Sequence, residues 1–437
     1  MKKFLWGAAT SSHQIEGYNK HNDWWHWEQE GHIEGGARSG AATDHLNRFR
    51  EDLKLAAELG LNSYRFSVEW SRIEPREDEW DESALNWYQD LITECEKLGL
   101  LPMLTLHHFT SPQWFAEKGG FTNEKAPEYF ARYVEKIVQL LGSRVPIWCT
   151  LNEPMVMIAG GYLATFMPPA KLAPKLASVA CRNLLLCHVR AYKIIHTQVT
   201  ERIGPWKDHP LSVGIAHNML DFMPDRSWHP IEKILAKIFR RFYNRAWLDA
   251  VTGRKQHFGI LGLVPYAKAV LEAIGHSTSD FIGINYYTKA YVQWRPRDAA
   301  KERPSDLPVG LSFARRKEKA SDVEWAIHPE GLARMIRFVS KRYKLPIYIT
   351  ENGIADQQDT LRPHFLNEHI QEVVKACKEG HDVRGYYYWS LLDNFEWIKG
   401  FGPRFGLYRV NYETFERTPT SSALLYKQVI KKLVSPN

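Results

Sequence analysis

Eight strand-like runs, most of them separated by helical stretches, constrain this chain more than any other feature. Short runs rich in Val, Ile, Tyr, Phe and Thr occur at 4–10 ("FLWGAAT"), 63–70, 101–108, 147–154, 212–219, 280–288, 346–353 ("PIYITENG") and 385–394. Between them, "LNRFREDLKLAAELGL" (46–61) and "ALNWYQDLITECEKLGL" (84–100) carry apolar residues at helical spacing and have a Gly near the end. Residues 128–141, 182–200, 330–343 and 364–380 are predicted as further helices. Strands alternating with helices predict parallel βαβ units, and eight of them predict a closed (β/α)8 TIM barrel of the α/β class. A length of 437 residues admits two or three domains. A barrel with insertions also runs that long, and 1–437 is predicted as a single domain. A doubly wound open sheet would carry a G-x-G-x-x-G or P-loop after a strand, and none of the runs is followed by one.

A barrel gathers the carboxyl ends of its strands at one rim. "PIYITENG" ends on an exposed-looking Glu351 backed by an Asn-Gly pair, which predicts a tight turn. Gln14 and Glu16 follow the first run, Glu69 lies on the second, His107 and His108 end the third, and Asn152 and Glu153 end the fourth. Asn285, Tyr286 and Tyr287 end the sixth, while Asp393 and Glu396 follow the eighth. One polar end would mean little, but so many in register predict a site.

Other classes are excluded by composition and spacing. No stretch of about 18 apolar residues appears, so no membrane span is expected. No apolar segment of a secretory signal follows Met1-Lys2-Lys3. Five scattered cysteines (Cys95, Cys149, Cys181, Cys187, Cys377) fit a reducing compartment and predict a cytoplasmic location. The net charge of +7 is spread along the chain, which predicts a solvated surface and no nucleic-acid partner. Residues 295–322 and 166–177 read as exposed loops. Neither Cys181 with Cys187-His188 nor the His107-His108 pair has the spacing of a zinc site, so no metal or cofactor is expected. Sixteen tryptophans suit either a large core or sugar-binding platforms, and the count alone favours core. The oligomeric state is left open.

Glu153 and Glu351 are far apart in sequence, and only a fold can bring them together. Two carboxylates facing each other over a sugar-sized pocket are the minimum for cleaving a glycosidic bond. One protonates the departing oxygen; the other attacks the anomeric carbon or activates a water. Their pKa values must then be pushed apart. Asn152 can hydrogen-bond a sugar hydroxyl. Arg65 can hold Glu351 ionised, which suits a nucleophile, and Tyr287 can donate to the same carboxylate.

These motifs resemble glycoside hydrolase family 1, the β-glucosidase family of retaining enzymes. "FLWGAATSSHQIEG" resembles its opening segment, and "DLKLAAELGLNSYRFSVEWSRIEP" its second strand with the preceding helix. "TLNEP" resembles the acid/base motif, "YITENG" the nucleophile motif and "WSLLDNFEW" the sugar-binding segment. The resemblance implies that Glu351 is the nucleophile and Glu153 the acid/base. It implies that Gln14, His108, Asn152, Trp389, Glu396 and Trp397 bind the glycone, with Asn285, Tyr287 and Arg65 supporting the nucleophile. The implied substrates are small β-glycosides or short oligosaccharides carrying a terminal β-D-glycosyl residue. A retaining mechanism demands carboxyl groups ~5–5.5 Å apart, against ~6.5–9.5 Å for inversion.

Two stretches depart from the family pattern. His108 is followed by Phe109 and Thr110 where Trp and Asp are common, and "GYLATFMPPA" differs from the glycine-ended segment usual after the acid/base. Rival readings are a 6-phospho-β-glycosidase, a transglycosidase and an inactive sugar-binding protein. The first lacks its Ser, Lys and Tyr phosphate cradle, since Glu396 stands where the Ser would be. The last would have lost a catalytic carboxylate, and both are present.

Overall fold

A computed structural model describes residues 4–254, 276–295 and 309–434. Eight parallel strands close into a barrel: β1 (Leu5–Ala9), β2 (Ser63–Ser67), β3 (Leu101–Thr105), β4 (Ile147–Asn152), β5 (Ser212–Asn218), β6 (Phe281–Asn285), β7 (Ile347–Asn352) and β8 (Val383–Trp389). Each strand pairs with its neighbours in chain order, and β8 returns to β1 with Gly7 opposite Tyr387. The fold is the (β/α)8 barrel that the eight runs predict. Its strands are buried on both faces, which is why they read as near-continuous apolar runs. Leu5, Ala9, Leu101, Met103, Ile147 and Cys149 pack into one cluster with Tyr387. Alternate residues such as Trp6, Ala8, Leu104 and Trp148 pack into another with the surrounding helices. Gly7 is required where it stands, because a Cβ there would lie 2.4 Å from the Tyr387 ring.

The predicted helices form with shifted ends: His45–Glu58, Glu82–Leu98, Ala126–Leu141, Pro329–Tyr343 and Arg362–Lys378. The helix predicted over 182–200 spans Pro174–Gln198, so the loop predicted for 166–177 ends earlier than expected. Pro174 sits in the first turn, where its missing N–H costs nothing. Segment 295–322 is not simply a loop. Val309–Ser312 pairs antiparallel with Lys289–Trp294, which itself pairs with Asp221–Pro224 in a small side sheet. Residues 296–308 of that predicted loop lie outside the described residues. Helices Pro230–Phe239 and Ser421–Val434 were not legible in the sequence pattern. No described helix is long and apolar enough to cross a membrane.

The C-terminal segment is stitched to the first barrel helix by a buried ion pair. Arg417 Nε donates to Asp52 Oδ1 at 2.7 Å and its Nη2 to Thr43 O at 2.6 Å. Asp52 Oδ2 is bonded to His45 Nδ1 at 2.7 Å. Removing one partner of such a pair strands the other's charge away from water, at a cost of about 3 kcal/mol or more. Arg417→Ala is therefore expected to lower the thermal midpoint by several degrees while leaving the pH dependence of activity unchanged. An unchanged midpoint by differential scanning calorimetry would contradict this.

Candidate active site

The carboxyl ends of the strands surround a cavity of about 280 Å³. His108, Asn152, Glu153, Tyr287, Glu351, Trp389, Glu396 and Trp397 all line it. Arg65, Asn285 and Gln14 stand behind this wall, wholly buried.

Backbone register does the first part of the positioning. Asn218 of β5 lies opposite Asn285 of β6, and Asn285 lies opposite Glu351 of β7. Three polar groups on successive strands thus reach one level. Glu153 is the first residue past β4 and caps the helix Pro154–Tyr162 with φ 46° and ψ 55°. This left-handed conformation costs an ordinary residue about 1 kcal/mol or more. It is held by the Glu153 N–H donating to Ala216 O at 2.8 Å and by Pro154, whose ring presets the first helical φ.

Glu351 is buried, not exposed, and the residues behind it do not form the predicted tight turn. Asn352 still belongs to β7; its Nδ2 donates to Tyr286 O at 2.6 Å and its Oδ1 accepts from Tyr386 OH at 2.8 Å. Gly353 is needed for close approach, since a Cβ there would lie 1.8 Å from Trp389 O.

Arg65 ties the two carboxylates into one network. Its Nη1 donates to Glu351 Oε1 and, at 3.1 Å, to Thr350 O; its Nη2 donates to Asn152 Oδ1 at 2.7 Å. Tyr287 OH donates to Glu351 Oε2 at 2.6 Å. Both oxygens of Glu351 therefore accept hydrogen bonds. Asn285 Nδ2 donates to Asn152 Oδ1 at 3.1 Å and to Glu153 Oε1 at 2.8 Å, its own Oδ1 being fixed by Thr350 Oγ1 at 2.7 Å. With Oδ1 of Asn152 taking two donors, its Nδ2 points at His108 Nε2, 3.2 Å away. Burial, with Arg65 nearby, drives the His108 pKa well down, so the ring is neutral.

The surroundings of the two carboxylates differ. Among the described residues Glu153 has no cation in contact, only the amides of Asn285 and, at 3.3 Å, Asn218. Burial first, and then the charge of Glu351, push its pKa from 4.5 up to about 8. Burial also raises Glu396 to about 8, although Trp389 Nε1 donates to its Oε1 at 3.1 Å. Burial and the adjacent Glu351 keep the Tyr287 hydroxyl protonated. Trp389 and Trp397 lie near-parallel to the His108 ring at 5.9 and 6.1 Å.

Not every predicted site residue reaches the cavity. Gln14 Nε2 donates to Asn394 Oδ1 at 2.8 Å and Phe395 O at 2.9 Å, and its Oε1 accepts from Ser11 at 2.7 Å. It braces the loop that presents Glu396. Other rim groups brace loops too. Glu16 takes Arg72 and Tyr88, Glu69 takes Ser12, Ser71 and Thr110, and Asp393 takes Arg404 and the Gly406 N–H. His107 pairs with Ser111. Asn218 was missed, although it ends the fifth run and the strand-end rule would have found it. Tyr243, which donates to Asn218 Oδ1 at 2.8 Å, comes from a helical stretch with no such signal.

Sequence and structure comparisons agree. The chain is 33% identical to beta-glucosidase A of Acetivibrio thermocellus over 98% of each chain. It is 30% identical to the beta-galactosidase of Pyrococcus woesei, over 98% of this chain and 96% of that one. Its fold is similar to that of the beta-glycosidase from Pyrococcus horikoshii, with a TM-score of 0.84 at 39% identity over 98% of this chain and 93% of that one. It is similar also to the beta-glucosidase from Thermotoga maritima solved in complex with glucoimidazole, with a TM-score of 0.89 at 30% identity over 99% and 98%. The model of glycosyl hydrolase family 1 matches residues 1–434, and the chain belongs to that family.

Proposed function

We propose that the protein is a retaining β-glycosidase of the β-glucosidase type, with Glu351 as nucleophile and Glu153 as acid/base. The observation that carries this reading is the unequal setting of two buried carboxylates in one cavity. One is ion-paired to Arg65, while the other holds its proton through neutral pH. The relatives named as beta-glucosidases and a beta-galactosidase support a terminal β-linked glucosyl or galactosyl glycone.

In the first step a Glu351 oxygen attacks the anomeric carbon as the bond to the leaving oxygen breaks, and Glu153 gives that oxygen its proton. Glycosylated Glu351 carries no charge, so one cause of the raised Glu153 pKa disappears. Glu153 then takes a proton from water, the water oxygen bonds to the anomeric carbon, and the bond to Glu351 breaks. His108, Asn152, Glu396 and the rings of Trp389 and Trp397 form the glycone wall. Gln14 contributes by holding the Glu396 loop and reaches the sugar only by giving up one of its bonds. A phosphorylated glycone would face the Glu396 carboxylate across a buried site, which disfavours the 6-phospho reading.

Glu351→Ala is expected to cut kcat on nitrophenyl β-glucoside by roughly 10⁴-fold or more. Near-wild-type turnover would refute the assignment. The pH dependence has a definite sign. Glu153 must enter the cycle protonated, its folded-state pKa is raised, and the proton is lost as pH rises through about 8. The wild-type kcat/KM should therefore fall on the alkaline side near that value, as it reports the free enzyme. With a 2,4-dinitrophenyl glycoside, whose leaving group needs no proton, Glu153→Gln should lose that alkaline limb; its persistence would contradict the role of Glu153.

A further inference from the structure

The two oxygens of Glu153 have unlike settings. Oε1 accepts from Asn285 Nδ2 at 2.8 Å and from Asn218 Nδ2 at 3.3 Å. Oε2 takes no hydrogen bond from the described residues, and Glu153 lines the cavity. An asparagine offers N–H to a carboxylate only when its amide is turned the right way, and a hydroxyl sets each of these two. Thr350 Oγ1 donates to Asn285 Oδ1 at 2.7 Å, and Tyr243 OH donates to Asn218 Oδ1 at 2.8 Å. With its oxygen taken, each amide presents N–H to Glu153. Tyr243 is itself tied to the strand that carries Asn218. It lies in a π-helical turn, Arg240–Arg245, between the helices Pro230–Phe239 and Ala246–Val251. Its carbonyl is 3.0 Å from Nε2 of His217, the neighbour of Asn218 on β5. Burial lowers the His217 pKa to about 4, so that ring is neutral. The next residue, Asn244, clamps the chain just past β5: its Nδ2 donates to Leu220 O at 2.7 Å and its Oδ1 accepts the Leu220 N–H at 3.1 Å. The Tyr243 ring meets Phe222 edge-on at 5.6 Å.

We infer that Tyr243 is a positioning residue for the acid/base: acting through Asn218, it holds the proton of Glu153 on Oε2, the oxygen left for the departing group. The inference rests on the glycosidase reading above. A proton on Oε1 would point an O–H among two N–H donors, where it finds no acceptor. On Oε2 the proton faces the cavity, and Oε1 goes on accepting. Without the Tyr243 hydroxyl the Asn218 amide is free to turn over. Its Oδ1 then accepts the Glu153 proton, which draws that proton to the wrong oxygen and stabilises the neutral acid. Tyr243 does not line the cavity, so this relay is what connects it with the reaction. The other charged and titratable groups facing Glu153 are Glu351, Arg65 and the Tyr287 hydroxyl. Glu396, His108 and Lys399 share its cavity. None of these six is hydrogen-bonded to Tyr243 or Asn218, so the relay can be cut without disturbing their bonds.

The test is Tyr243→Phe, which keeps the ring and its packing. kcat/KM is measured against pH on methyl β-D-glucopyranoside, whose leaving group needs a proton, and on the 2,4-dinitrophenyl glucoside, whose leaving group does not. The variant should lose roughly tenfold on the methyl glucoside and less than about threefold on the dinitrophenyl glucoside. Its alkaline limb on the methyl glucoside should move up by roughly half a pH unit or more, because a donor to the ionised acid is gone. Asn218→Ala should change both readouts in the same direction, and adding Tyr243→Phe to it should change nothing further. Equal losses on both substrates at every pH, or effects that add in the double variant, overturn the relay. So does a Tyr243→Phe profile that matches the wild type, which leaves the glycosidase reading standing. A wild type that hydrolyses neither glucoside overturns both.

Discussion

Arg65 is wholly buried beneath the barrel rim, and a guanidinium shut off from water must be met by acceptors. It finds three: the Glu351 carboxylate, the Thr350 carbonyl and Asn152 Oδ1. The rest of the site follows from how those bonds are shared. Occupying Asn152 Oδ1 turns the Asn152 amide toward His108. Asn285 donates both to that same oxygen and to Glu153. One cation therefore orders five side chains from four strands or strand ends. It also makes the site asymmetric, since Arg65 contacts one carboxylate and leaves the other among neutral amides. Two glutamates of identical chemistry thereby sit in unlike surroundings, and burial with the charge of Glu351 raises the pKa of Glu153.

The barrel makes that network possible, and the barrel was legible. Eight apolar runs, each buried on two faces, could not be mistaken for amphipathic surface strands, and their polar ends marked the rim. Glu153, Glu351, Arg65, Asn285 and Tyr287 were found by that logic or by the motifs around it. What was not legible lay in three-dimensional bonding. Gln14 ends beside the right loop, yet its amide is consumed by Asn394 and Phe395. Glu16, Glu69 and Asp393 look like site carboxylates in sequence but serve as acceptors for loop donors. Asn-Gly after Glu351 suggested a turn, whereas the glycine is demanded by the Trp389 carbonyl pressing against it. Tyr243 had no pattern at all to mark it, because its partner Asn218 lies on another element. Loop boundaries failed for a related reason: the side sheet containing Val309–Ser312 exists only through pairing with residues distant in sequence.

The cavity combines two chemistries at a single boundary. Inward, hydrogen-bonding groups are held by one another before any ligand arrives, so little reorganisation is needed when charge moves. Outward, the lining among the described residues is mostly carbon, from Val156, Val323, Trp325 and Phe405. Family features concentrate in the first half and this chain's departures in the second.

The covalent bond between Glu351 and the sugar is the central claim, and trapping it is the most direct measurement. A β-glucoside bearing fluorine at the second position and a 2,4-dinitrophenolate leaving group slows both steps but speeds the first. Incubation, proteolysis and mass spectrometry should then find one fluoroglucosyl group, attached to the peptide containing Glu351. A label on another residue, or rapid release of dinitrophenolate with no label at all, would contradict the account.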